Sequence, residues 1–148
     1  MLAREIMTPN PRVVTTDEPL AHAAAIMRDL DVGIVPVVND RVKLRLEGVI
    51  TDRDIAVRCV AAQHGTHCRV RDHMTADRLD TVRPDAPLAD VIELMERDRV
   101  RRIVVVGQDE RVVGIIAQAD LAVRLGAKEP LKVEEVLERV SQSVYAAH

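Results

Sequence analysis

Aromatic side chains are nearly missing from this chain of 148 residues: Trp and Phe are absent, and Tyr145 is the single Tyr. Stacking of bases on Phe or Trp, the usual single-strand and RNA platform, is thereby excluded, and any bound base must lie between aliphatic side chains and backbone. Cysteine is scarce too, and Cys59 and Cys68 alone do not make a disulfide framework for a chain of this size. An excess of basic charge is also lacking. With 21 Lys and Arg against 24 Asp and Glu the formal net charge is -3, which gives no overall field for nucleic acid or an anionic membrane. No apolar run approaches the roughly 20 residues of a membrane span, and residues 1–5 pass into patterned sequence without a signal-peptide core. The expectation is a cytoplasmic protein with neither nucleic acid nor membrane as a partner. A nucleophile elbow, a Walker glycine loop and an HExxH pair are all missing, and no serine is placed beside a histidine. Asp17-Glu18 belongs to a helix start, and Asp52 and Asp54 diverge on a helix, so no enzyme is expected.

What is present is one pattern written twice. Laying Pro19-Leu20 on Pro87-Leu88 aligns Val14 with Val82, Asp17 with Asp85, Met27 with Met95 and Val37 with Val105, at an offset of about 68. Two short indels bring Ile6-Met7-Thr8 onto His73-Met74-Thr75 and Gly48 to Asp54 onto Gly114 to Asp120. A unit of about 60 residues is marginal by itself, so the two copies are expected to share one core.

Each unit reads strand, helix, strand, strand, helix. Arg12-Val13-Val14-Thr15 and Asp80-Thr81-Val82 are β-prone, and Asp17-Glu18-Pro19 and Asp85-Ala86-Pro87 carry helix-start chemistry. Leu20, Ala23, Ala24, Met27 and Leu30, like Leu88, Val91, Ile92 and Met95, recur at helical spacing and predict core stripes. The runs 32–38 and 100–106 lack alternation and predict strands buried on both faces. A second strand follows in each copy, over 46–50 and 112–116, and ends at the repeated motif. Ile55, Ala56, Val57 and Val60, or Leu121, Ala122 and Leu125, then start a helix, which Gly126 and Pro130 are expected to stop. Residues 132–145 predict a charged amphipathic helix whose stripe is Val133, Val136, Leu137, Val140 and Val144. That stripe is expected to pack on the body or on a second subunit.

The motif itself has two readings. Thr51-x-x-Asp54 ahead of an apolar helix is the pattern of a capping box, which satisfies orphan backbone N–H groups. The second copy keeps Asp120 and places Ala117, a poor cap, where the first has Thr51. An aspartate retained without its capping partner points to a second use.

Two β-α-β-β-α units, each preceded by Ile/His-Met-Thr and closing in Gly-apolar-apolar-x-x-x-Asp, resemble a tandem pair of CBS domains, the Bateman module, over about residues 4–126. The long linker ending in Val70-Arg71-Asp72-His73-Met74-Thr75 is also similar to that of small stand-alone bacterial CBS proteins, including hypoxia-response proteins. The resemblance implies an α/β fold with the two domains packed in pseudo-two-fold symmetry. It divides the chain into a first domain (1–62), a linker (63–71), a second domain (72–127) and a C-terminal helix (128–148). It further implies that clefts between the halves bind an adenosine ligand, the aspartate holding ribose hydroxyls and the hydroxyl residue approaching phosphate. Carried over residue by residue, one cleft would combine Thr51 and Asp54 with Leu79, Asp80, Thr81, Arg101 and Arg102, with Arg53 as a further cation. Guanidinium groups pair phosphate bidentately and helix N-termini attract it, which suits that set. The other cleft would combine Ala117 and Asp120 with Val13, Val14 and Gly33-Ile34. It lacks both the hydroxyl and the arginines, so the first cleft is expected to dominate.

Cys59, His64, His67 and Cys68 are metal-ligand types clustered in the linker. Their spacing is no familiar zinc pattern, and adjacent His67 and Cys68 cannot easily hold one ion in a relaxed loop. No metal is expected. The reading that results is a regulatory, homodimeric sensor of AMP, ADP or ATP, with a role in stress response. NAD and S-adenosylmethionine stay open as ligands. The alternative is an interaction module with empty clefts that docks an unidentified protein partner through its C-terminal helix.

Overall fold

The computed structural model describes residues 1–145, without the side chains of residues 130, 131 and 143–145. In chain order the elements are α1 (Ala3–Ile6), β1 (Thr8–Pro9), β2 (Val14–Thr15), α2 (Leu20–Leu30), β3 (Ile34–Val38), β4 (Leu46–Thr51) and α3 (Asp52–Asp54), which runs on as a π-helical segment, Ile55–Val60. Then come α4 (Val70–His73), β5 (Thr81–Val82), α5 (Leu88–Asp98), β6 (Arg102–Val106), a 3-10 turn at Gln108–Glu110, β7 (Val112–Ala117), α6 (Gln118–Lys128) and α7 (Pro130–Tyr145).

The runs without alternation form the inner strands. β3 is buried at every position and β6 at all but its first, as strands covered on both faces require. In one sheet β2 runs parallel to β3 and β4 antiparallel to it, with Ile34 opposite Thr51 and Val35 opposite Ile50. The order of the other sheet is β1-β7-β6-β5.

The chain forms two compact units that are not its two sequence halves. One joins Pro11–Leu79 to Gln108–Val112; the other joins Met1–Asn10 and Asp80–Gly107 to the chain from Val113 onward. The lead-in segments explain the difference. Thr8 and Pro9 pair with Ile115 and Gly114 of β7, and Thr75 exchanges backbone hydrogen bonds of 2.8 and 2.9 Å with Val49 of β4. The motif glycines make room for them. A Cβ on Gly48 would lie 2.6 Å from the Thr75 carbonyl oxygen, and one on Gly114 would run into the Met7 side chain.

The core expected to be shared is two cores. Ile6, Val91, Met95, Ile103, Ile116 and Leu121 centre one cluster; Val14, Leu20, Val35, Val37, Ile50 and Val70 centre the other. Gly126 does not stop its helix either, for α6 continues through it to Lys128. Val133 Cγ2 would lie 3.9 Å from a Cβ at Gly126, so the residue marks a close approach of α7 to α6. Pro130 opens α7, its missing N–H costing nothing at a first helical position. Val136 and Val140 of α7 are buried in that unit's core, each burial worth about 1.5 to 3 kcal/mol. Arg139 adds two hydrogen bonds to Glu96 of 2.9 and 2.6 Å. The expected stripe therefore packs on the body, although Val144 lies outside the described side chains.

Candidate functional site

At the first junction β4 ends in extended backbone at Thr51 and α3 begins. Both halves of the capping box form: Asp54 N–H donates to Thr51 Oγ1 and Thr51 N–H to Asp54 Oδ2, each at 3.0 Å. The Asp52 N–H donates to the Gly33 carbonyl at 3.0 Å, which ties the junction to the start of β3. The cap uses Oδ2 of Asp54. Oδ1 lies 3.6 Å from Nε of Arg58, one helical turn on, and the Asp54 side chain keeps 14% of its surface exposed. Arg58 also donates to the carbonyls of His73 and Met74, at 3.2 and 3.3 Å. Arg53 is exposed, and Leu79 is half-buried in the same unit.

The second junction repeats the backbone and changes the partners. The Ala117 N–H donates to Asp120 Oδ2 at 2.7 Å, but Ala117 has no side-chain acceptor to offer in return. Oδ1 of Asp120 accepts instead from the Thr8 hydroxyl, at 3.3 Å. Gln118 N–H donates to the Arg101 carbonyl at 2.9 Å, as Asp52 does to Gly33, and its side-chain amide reaches Ser141 Oγ at 2.6 Å. Within this unit Arg101 and Arg102 thus stand at the start of β6, beside Ala117-Gln118, and Thr81 lies opposite Val104 in β5.

Asp80, just ahead of β5, has unusual electrostatics. Burial first, then the hydrogen bond and charge of Asp98, push its carboxyl up to about 6. Asp98 is held down to about 2 by hydrogen bonds from Arg97 first and then from Asp80. Below a pH of about 6 one proton is therefore held by Asp80, while the Arg97 pairing at 2.9 and 3.0 Å keeps Asp98 ionised.

The expected site residues fall into two sets, Thr51, Arg53, Asp54 and Leu79 in one unit and Asp80, Thr81, Arg101, Arg102 and Asp120 in the other. Two surface cavities in the first unit, of about 510 and 220 Å³, are lined by neither Thr51 nor Asp54. Sequence reasoning missed Arg58 and Thr8. Arg58 was detectable from its i,i+4 spacing to Asp54. Thr8 was seen only as part of a repeat, because its partner lies 112 residues away.

Comparison with known proteins places this architecture. The family model described as "CBS domain" matches residues 3–60 and 70–126. Hypoxic response protein 1 of Mycobacterium tuberculosis is 34% identical over 120 residues, 81% of this chain and 82% of that protein. Three solved structures are similar. A crystal structure of Hypoxic Response Protein I with two coordinated zinc ions has a TM-score of 0.73 at 31% identity, covering 83% of this chain and 98% of that one. The CBS domain pair of protein MJ0100, in complex with 5-methylthioadenosine and S-adenosyl-L-methionine, has a TM-score of 0.76 at 26% identity, covering 87% and 98%. CBSX2 in complex with AMP has a TM-score of 0.70 at 26% identity, covering 88% and 98%.

Proposed function

This chain belongs to the CBS-domain family as a tandem pair, and from that premise we propose that it is a regulatory module that senses an adenosine ligand and catalyses no reaction. The observation that carries the proposal is the repeated strand-end aspartate. In both junctions the cap uses only Oδ2, and in the first Oδ1 faces Arg58, with 14% of the Asp54 side chain exposed. A carboxylate in that position can accept from both hydroxyls of a ribose, and the adjoining helix start and Thr51 hydroxyl suit a phosphate. The relatives that hold AMP, S-adenosyl-L-methionine and 5-methylthioadenosine support the ligand class.

The ligand we favour is AMP, ADP or ATP, bound chiefly by the Thr51–Asp54 junction, with Arg101 and Arg102 as candidate phosphate-binding cations. A site of this kind supports affinity of about −5 to −8 kcal/mol, from about tenths of millimolar to micromolar. Ligand binding would act by differential affinity for two arrangements of the protein, in a homodimer. A role in stress response follows the relative named for hypoxia.

Titration calorimetry against AMP, ADP, ATP, NAD and S-adenosylmethionine tests the proposal. Saturable heat with at least one adenosine phosphate is expected, and no heat and no thermal shift with any of the five ligands would sink it. Val136 and Val140 of α7 are buried in the protein's own core, so in the rival reading a partner would dock on the exposed face of that helix.

A further inference from the structure

The linker holds Cys59, His64, His67 and Cys68, and their sequence spacing argues against a shared ion. The structure regroups them. Cys59 ends up buried in the π-helical segment, Cys68 lies at the end of the loop, and α4 brings in His73, whose side chain is buried. One potential ligand atom from each of these three residues lies within 4.8 Å of the other two. His64 lies outside that group but next to it, its Nδ1 3.4 Å from Nε2 of His73, while His67 turns toward Gly65.

Two of the distances match edges of a tetrahedral site. With zinc–sulfur bonds of about 2.3 Å and zinc–nitrogen bonds of about 2.0 to 2.1 Å, tetrahedral geometry sets sulfur–sulfur edges of about 3.8 Å and nitrogen–nitrogen edges of about 3.4 Å. Cys59 Sγ and Cys68 Sγ are 3.8 Å apart, and the two imidazole nitrogens 3.4 Å. Two ring nitrogens can face each other at that distance only if a proton or a cation lies between them.

Ordinary core packing is the competing account, since buried thiols behave as small hydrophobes. The duplication argues against it. Leu20 N–H donates to the Cys68 carbonyl at 2.8 Å as Leu88 N–H does to that of Met1 at 2.9 Å, so Cys68 corresponds to Met1. His73 corresponds to Ile6 by the Ile/His-Met-Thr match, and Cys59 to Leu125, each lying five residues past its motif aspartate. In one unit this corner is Met1, Ile6 and Leu125, all in the apolar core or packed against it. In the other, each of the three positions holds a metal-ligand type. A buried imidazole is costly unless it is partnered.

We propose that Cys59, Cys68, His64 and His73 form a structural site for a zinc-class divalent cation, pinning the loop 61–69 between the π-helical segment and α4. Thiolate and imidazole ligands select zinc over magnesium or calcium. Both thiols release their protons to solvent as the metal binds. A rotation of the exposed His64 ring supplies the fourth protein ligand and leaves no open position for a substrate, the pattern of a structural centre.

The test uses the full-length protein, stripped with a chelator and titrated with Co²⁺, then with Zn²⁺ in competition. Expected are about one equivalent per chain, the intense visible bands of tetrahedral cobalt with thiolate charge transfer, and displacement by zinc. Cys59→Leu, Cys68→Met and His73→Ile install the residues that the other unit uses at these positions, so the fold should be kept. Each should weaken cobalt binding by more than about 100-fold, as even outer partners of zinc ligands are worth about 10 to 100-fold. Exposed His64→Ala should weaken it too, and His67→Ala should leave it unchanged. Absence of the tetrahedral spectrum, retention of it in Cys59→Leu or His73→Ile, or its loss in His67→Ala would overturn the assignment.

Discussion

The two strand-to-helix junctions present an aspartate on the same backbone and differ in what else reaches its carboxylate. At Asp54 the cap occupies Oδ2, and Oδ1 has a guanidinium 3.6 Å away. At Asp120 the backbone occupies Oδ2 and the Thr8 hydroxyl occupies Oδ1. Each carboxylate oxygen has two lone pairs, so either aspartate can still accept from a ribose, with a cation beside it at Asp54 and a hydroxyl at Asp120. Duplication has thus left two junctions that share a backbone and differ in the partner of Oδ1, a guanidinium in one and a hydroxyl in the other.

The sharpest way to break that comparison is to remove the two aspartates in turn. Asp54→Ala should weaken adenine-nucleotide binding by tenfold or more in calorimetry, about 1.4 kcal/mol, and Asp120→Ala by much less. Equal losses would mean that the junctions are equivalent. Arg102→Ala should weaken binding by a similar factor, and its combination with Asp54→Ala or Asp120→Ala decides which junction it serves. The pair acting on one ligand gives a combined loss different from the sum, whereas independent sites add.

A reciprocal exchange of the hydroxyl should come next in size. Thr51→Ala removes a side-chain cap that the structure shows formed at 3.0 Å and should cost about 1 kcal/mol of stability. Ala117→Thr offers Asp120 N–H the acceptor it lacks and should return about as much. Urea denaturation measures both. If Thr51→Ala lowers ligand affinity without lowering stability, the cap is incidental; if it lowers both, one hydroxyl serves both roles.

The family and the elements were legible because they rest on short-range pattern. The doubled motif, the unalternating runs of β3 and β6 and the stripe of α7 are all carried by neighbours within a few turns. The helix end at Gly126 was misread because a glycine that stops a helix and one that admits another helix look alike in sequence, and only Val133 distinguishes them. The division into two cores depends on Thr8 and Thr75 each joining the β-sheet of the other repeat. No local pattern encodes that exchange. His73 was visible as the odd member of the Ile/His-Met-Thr match, but its meeting with Cys59 and Cys68 required the turn of the linker.

A smaller contrast lies ahead of the first strand of each repeat. Asp80 and Asp98 face each other in one unit, where the other repeat has Arg12 and Leu30. Folded Asp80 keeps its proton up to about 6, whereas in the unfolded chain it loses it near about 3.9. The folded state therefore binds more protons in that window, and stability falls as pH rises through it. Asp98, held near 2, acts in the opposite sense, and its contribution is lost as pH falls below about 4. Asp80→Asn should raise stability at pH 7.5 by about 1 kcal/mol after allowance for solvent screening, and give no gain at pH 4. Melting curves across that range measure the difference, and a gain independent of pH would point to packing instead of charge.

The smallest expected effect separates the ends of α2 and α5. Both helices close on a left-handed residue, Asp31 at φ 53° and Arg99 at φ 56°, with Val32 and Val100 N–H returning 3.1 Å to Met27 and Met95. Left-handed backbone costs an ordinary L-residue about 1 to 2 kcal/mol, and aspartate tolerates it better because its short side chain bonds locally. Glycine recovers much of that cost but loses more entropy on folding. Arg99→Gly should therefore stabilise by about 0.5 to 1 kcal/mol, and Asp31→Gly by a few tenths at most. Equal gains in denaturant titrations would show that the aspartate side chain contributes nothing to its own cap, and that the two helix ends, unlike the two junctions, are energetically interchangeable.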